Sequence, residues 1–304
     1  MVTVHHGNYG KIMKYLVILT TLTVLLTACQ STSQNTTSVY QGTDPSQRKR
    51  DKMELAQART ALAGQYISQR QLEAAKWKLD EAMESEPRYA PAYDMMGNWL
   101  WVEGSPSNVA KAEEYFKRAI SLDPNFTQAR NNYGVYLSEL GRHQEAIEQF
   151  NIAGSTLGYR NRVGALENLG LTYLKMNNPV AAEAAFNKAM ETERGAVVAK
   201  MEMIDILINR RESLKAKEYF DDLRAMAQLH NQPIPPRLIY QGIRLNILQN
   251  NRQEIQRLSS QLLSQYPLSD EAKKLKQWLN NPTGALQWAK PTTNQHQTQV
   301  LAVS

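Results

Sequence analysis

The chain is 304 residues long, with a formal charge of +6, 42% apolar residues and a single cysteine. One cysteine excludes an internal disulfide framework and any CxxC zinc or redox pair. A mild positive excess without an aromatic-interleaved basic stripe argues against a nucleic-acid partner, and the length admits either two compact domains or one array of short repeats.

The first element is a signal. Residues 15–27 (YLVILTTLTVLLT) form an apolar run preceded by Lys11 and Lys14, too short to span a bilayer and flanked as a signal-peptide core is. Leu26-Thr27-Ala28-Cys29 follows directly and resembles the bacterial lipobox, in which the cysteine accepts a diacylglycerol. Residues 1–28 are therefore expected to be a signal peptide, with Met13 as an alternative start, and Cys29 to be the lipidated residue. Gln30 after it follows the sorting pattern of the outer membrane, and acyl chains worth roughly 0.8 kcal/mol per buried CH₂ make a lasting anchor. Residues 29–50 are rich in Ser, Thr and Gln and cannot bury enough apolar surface to order themselves, so they read as a disordered tether. The run Arg48-Lys49-Arg50-Asp51-Lys52 reads as a solvated helix start.

From residue 51 to 280 apolar and small residues recur with a period of about 34, the spacing of a tetratricopeptide (TPR) helix-turn-helix unit. The first copy holds Leu62, Ala63, Tyr66, Ala75, Leu79 and Ala82. The second holds Tyr93, Gly97, Ala112, Phe116 and Ala119, with a turn insertion at Gly104-Ser105-Pro106. Tyr133, Gly134, Ala146 and Phe150 mark the third; Leu166, Gly170, Ala182 and Phe186 mark the fourth. A fifth keeps Met203, Leu207, Ala216 and Phe220 but carries Ile204 in place of the glycine. After Gln232-Pro233-Ile234-Pro235-Pro236, which cannot continue a helix, a degenerate pair spans about 237–249 and 253–266, and 271–279 reads as a closing helix. Small residues let the paired helices approach while Tyr and Phe fill the gaps between repeats. The expected fold is all-α, a right-handed superhelical solenoid of five to six TPRs. Residues 281–304, dominated by Thr and Gln, read as a disordered tail.

Catalytic chemistry finds no residues to carry it. The histidines His5, His6, His143, His230 and His296 form no HExxH, and there is no glycine-rich phosphate loop. No catalytic site, metal, cofactor or small-molecule substrate is expected; the protein reads as a scaffold and not an enzyme. In TPR arrays positions 2, 5, 9 and 12 of each repeat face a concave groove. Here they supply Trp101, Asn131, Val135, Leu171, Leu174, Met201 and Ile208, together with Asp94, Ser138, Glu167 and Asp205. Exposed aliphatics and a tryptophan in that register suit an apolar helix or strand of a partner. The alternative is that Val135, Leu171 and Leu174 are covered by later helices of the chain, and that Trp99 and Trp101 pack at the insertion.

A family resemblance rests on four stretches: Asn131-Asn132-Tyr133-Gly134; Arg162-Val163 with Glu167-Asn168-Leu169-Gly170-Leu171; Gly242-Ile243-Arg244-Leu245; and Tyr266-Pro267 with Ser269 and Glu271. With the lipobox and the tether, these resemble the PilF/PilW family of type IV pilus biogenesis lipoproteins, the pilotins of the outer-membrane secretin. The resemblance implies a lipid-anchored protein on the periplasmic face of the outer membrane that binds a secretin subunit and promotes its localisation and multimerisation. The same repeats would equally serve a periplasmic adaptor that recruits peptidoglycan enzymes or outer-membrane assembly factors.

Overall fold

The computed structural model of the chain describes residues 44–280. The expected signal segment, Cys29, most of the tether and the tail lie outside the described residues. Among the described residues there are thirteen helices and no strand. Six helix pairs run α1 (Pro45–Ser68) with α2 (Leu72–Ser85), α3 (Ala90–Glu103) with α4 (Pro106–Leu122), α5 (Thr127–Glu139) with α6 (His143–Ser155), α7 (Arg162–Lys175) with α8 (Pro179–Thr192), α9 (Val197–Asn209) with α10 (Ser213–Leu229), and α11 (Pro236–Leu248) with α12 (Arg252–Gln265). The closing helix is α13 (Asp270–Asn280). This is the all-α repeat architecture that the periodicity predicts. One boundary differs: helix α1 begins at Pro45, inside the stretch expected to be tether, because proline at the first helical position starts a helix without sacrificing a hydrogen bond. Residues 44–48 belong to the amino-terminal unit, and the repeat array begins at Lys49.

Three kinds of helix contact hold the array together. The two helices of a pair pack together, the second helix packs on the first helix of the next pair, and consecutive first helices pack directly from α3 through α5, α7, α9 and α11 to α13. The first pair is joined by Arg59, which donates to the Glu81 carbonyl at 3.0 Å and lies 3.5 Å from its carboxylate. Alanines at fixed register (Ala75, Ala112, Ala146, Ala182, Ala216) are fully buried, and so are the phenylalanines Phe116, Phe150 and Phe186 that fill the space between helices. The repeat glycines exist for those rings: a Cβ built at Gly97 falls 2.9 Å from Phe116, and one at Gly134 falls 2.7 Å from Phe150. In the sixth pair Gly242 faces Phe220 at 2.7 Å, so the degenerate repeat keeps the same small-against-large packing.

The first helices from α5 onward end in one way. The chain turns left-handed just past the helix, at Gly141 after α5, and then at Asn177, Arg211 and Asn250 after α7, α9 and α11. Only the first of these spends a glycine; the others accept a modest backbone cost, with Asn the least penalised. A charged cluster braces the second and third pairs. Glu113 on α4 accepts from Arg142 before α6 and from the Tyr133 hydroxyl on α5, each at 2.7 Å. The Arg142 hydrogen bond is the main reason its carboxyl is pulled down to about 2, with Lys117 and Tyr133 adding to it.

Candidate functional site

The groove register divides into two sets of residues. The polar set is taken up by contacts between consecutive first helices. Asp94 on α3 accepts from Asn132 on α5 at 2.9 Å; Asn168 on α7 donates to Asn131 at 3.2 Å; the hydroxyls of Ser138 and Thr172 lie 3.2 Å apart. Glu167 on α7 accepts from the Ala199 amide at 3.0 Å, capping α9, which has no side-chain cap of its own. Asp205 on α9 accepts from Arg237 at 2.9 Å and Gln241 at 2.7 Å, and it pairs with Arg244, whose other nitrogen reaches Asn209 at 2.8 Å. A buried polar group needs a partner to offset lost hydration, and here each first helix supplies partners to the next. These residues form a ladder and are not presented to a guest.

The apolar set stands differently. Leu171, Leu174 and Met201 are half-buried, resting on the core of the fourth and fifth pairs. Trp101 is half-buried and meets Tyr136 edge-on, ring centroids 6.3 Å apart at 87°. Trp99 is buried, its indole N–H donating to the Leu72 carbonyl at 2.7 Å, so it is a packing residue. Three residues expected on the open groove are buried: Val135 is 9% exposed, Asn131 4% and Ile208 3%. The reason is the direct packing of first helix on first helix, which covers side chains leaning toward the neighbour. Covering by later helices thus holds for Val135 and, in half measure, for Leu171 and Leu174. Between α5 and α7 a cleft remains, lined by Val135, Leu171, Asn168 and Ser138, with Glu139 and Lys175 paired across it at 2.7 Å.

Asp94 is the strained member of the ladder. An oriented chain of hydrogen bonds runs to it: Tyr159 donates to Gln128 at 2.8 Å, Gln128 to Asn132 at 2.8 Å, and Asn132 to Asp94 Oδ2. Its other oxygen, Oδ1, is buried with no donor. Burial pushes the carboxyl up to about 7, against the opposing Asn132 hydrogen bond, and burial likewise pushes Tyr159 up to about 12. The folded chain keeps the Asp94 proton to higher pH than an unfolded chain, whose carboxyl titrates near 3.8. This contribution to stability is complete below about pH 4 and is lost as pH rises through about 7, at most roughly 4 kcal/mol. Asp94→Asn should therefore melt several degrees above the parent at pH 8, with the gap narrowing through pH 5 and closing near pH 4. Melts that coincide at pH 8 would mean that Oδ1 has a donor after all.

Glu202, Arg237 and Gln241 belong to this interior polar system, while Lys200 is buried on α9 with Arg194 and Asp222 as its partners; none of the four is indicated by the groove register. A signal for them existed: Lys200, Glu202 and Asp205 interrupt the otherwise apolar α9, VVAKMEMIDILIN, and charges at that spacing in a core helix need partners. Among the described residues no group of His, Cys, Asp and Glu could hold a metal ion, and no helix is long and apolar enough to cross a membrane.

The tetratricopeptide-repeat pattern matches residues 115–148 and again 163–194. The type IV pilus assembly protein PilF of Pseudomonas aeruginosa is 31% identical over 206 residues, which is 68% of this chain and 79% of PilF. A solved structure from the functional characterisation of Pseudomonas aeruginosa PilF superposes with a TM-score of 0.65 at 28% identity, covering 74% of this chain and 98% of that one. The crystal structure of PilW, a widely conserved type IV pilus biogenesis factor, gives 0.62 at 21% identity, covering 72% and 97%, a likeness of fold.

Proposed function

Because this chain belongs to the PilF family of type IV pilus biogenesis proteins built from tetratricopeptide repeats, we propose that it acts there as a non-catalytic scaffold. In this reading it is an outer-membrane lipoprotein, held by lipid on Cys29, that binds a secretin subunit and promotes its localisation and multimerisation. The observation that carries the reading is the half-buried apolar row Trp101, Leu171, Leu174 and Met201 on the first-helix face. Most polar neighbours of that row are already bonded to one another, so apolar burial is what the face chiefly offers a guest.

The test uses variants that keep the fold. Leu171→Gln with Leu174→Gln leaves aliphatic stems on the core and puts amides where the guest would pack. Burying a leucine is worth about 1.5–3 kcal/mol when complete, so two half-buried ones should weaken secretin binding roughly ten- to a hundredfold. Helical circular dichroism should be unchanged. In cells the double variant should still fractionate with the outer membrane while secretin multimers and surface pili fall; Cys29→Ser should lose the membrane fraction. Unchanged secretin binding by the double variant, or recovery of peptidoglycan enzymes in place of secretin on the parent chain, would overturn the proposal.

A further inference from the structure

A second cleft lies away from the apolar row of the first-helix face. Helices α8 and α10 do not pack on one another, and α10 is 17 residues long where α8 is 14. The gap between them is an open cleft of about 520 Å³, within the range for binding sites. Its walls are apolar: Met190 from α8, with Tyr219, Met226 and Leu229 from α10. Leu229 is 79% exposed, on the last turn of α10, and has no packing role to explain it.

The same cleft is lined by a buried cation. Lys200 is 7% exposed. Its ammonium donates to the Arg194 carbonyl and to the Asp222 carboxylate. An ammonium carries three donors, so one is left over at a group that has given up most of its hydration. Arg194 also lines the cleft, which sets two cations against the single carboxylate of Asp222. Apolar walls with an under-used buried ammonium are the chemistry of an apolar ligand that carries one negative charge.

We propose that the α8–α10 cleft binds an apolar segment of a partner polypeptide carrying one acidic side chain, with the carboxylate seated on Lys200. The exposed outer wall favours an extended chain passing through over a small amphiphile, which would need closer enclosure to bury its surface. Two methionines in the walls let the cleft adapt to the guest's side chains. The inference does not depend on the identity of the groove's partner.

The experiment follows methionine methyl resonances of the full chain in lipid nanodiscs. The probes are a capped heptapeptide of leucine and alanine with one central glutamate, its glutamine counterpart, and hexanoate. The glutamate peptide should shift the Met190 and Met226 methyls and leave Met201 unmoved, and it should bind about fivefold or more tighter than the glutamine peptide. Lys200→Met should erase that preference. Leu229→Asp, at a surface position that cannot disturb the fold, should weaken both peptides. Equal binding of the two peptides to the parent chain overturns the proposal, as do shifts confined to Met201. Hexanoate moving Met190 and Met226 where the peptides do not would make the cleft an amphiphile site and equally overturn it.

Discussion

Gly170→Leu is expected to lower the melting temperature by about 6–12 °C. A Cβ at this position would fall against three atoms of the Phe186 ring, closer than at any other repeat glycine that faces a phenylalanine. Phe186 is fully buried, with Leu166, Ala182 and Met203 in the same core, so the ring has nowhere to move without separating α7 from α8. Overpacking of this kind costs about 1–3 kcal/mol for a few methylenes and more where backbone must shift. Gly64→Ala is the informative contrast. There the added methyl meets only the flexible end of Met95 at 3.3 Å, and a helix-interior alanine gains about 1 kcal/mol over glycine, so that variant should be neutral or stabilised. Thermal unfolding of both decides it; parent-like melting of Gly170→Leu would mean the glycines do not sit at helix crossings.

Arg237→Met should cost about 3 kcal/mol and loosen the carboxy-terminal end of the array first. Glu202 on α9, with its side chain 5% exposed, receives two hydrogen bonds from the Arg237 guanidinium, at 2.6 and 2.8 Å. The same guanidinium reaches Asp205 at 2.9 Å. Removing it leaves a carboxylate buried without its counter-ion, which costs about 3–5 kcal/mol when both partners are enclosed. The lower figure applies here because the Arg237 side chain is 30% exposed. Replacing both partners, Arg237→Met with Glu202→Met, should recover most of the loss, since an apolar pair leaves no charge stranded. Hydrogen exchange should find α11–α13 opening before α3–α8 in the single variant. Uniform loss of protection across the array would show that the ion pair does not act as the joint between α9 and α11.

The repeat register was legible because it is set by local spacing. Helix pairs, their turns and the closing helix follow from where alanine, glycine and aromatic residues fall, and the proline break before α11 is a covalent fact that no tertiary context changes. The family was legible for a related reason. Gly242-Ile243-Arg244-Leu245 stood out in a degenerate repeat, and the structure supplies its physical content: Gly242 admits Phe220, and Arg244 closes on Asp205 and Asn209.

The identity of the residues that remain open on the first-helix face was not legible. The sequence by itself determined which residues point toward that face, because a helix has a fixed period. Only the tertiary structure decided which of them stay accessible, because that depends on how closely successive first helices approach and on which polar side chains pair across the seam. Val135, Asn131 and Ile208 share the groove register with Leu171, Leu174 and Met201, yet the former are covered and the latter half-open. Asp94 carries the same lesson for charge: a residue type can be read from the chain, but the donor that its Oδ1 lacks is a property of the neighbours that folding brings near it.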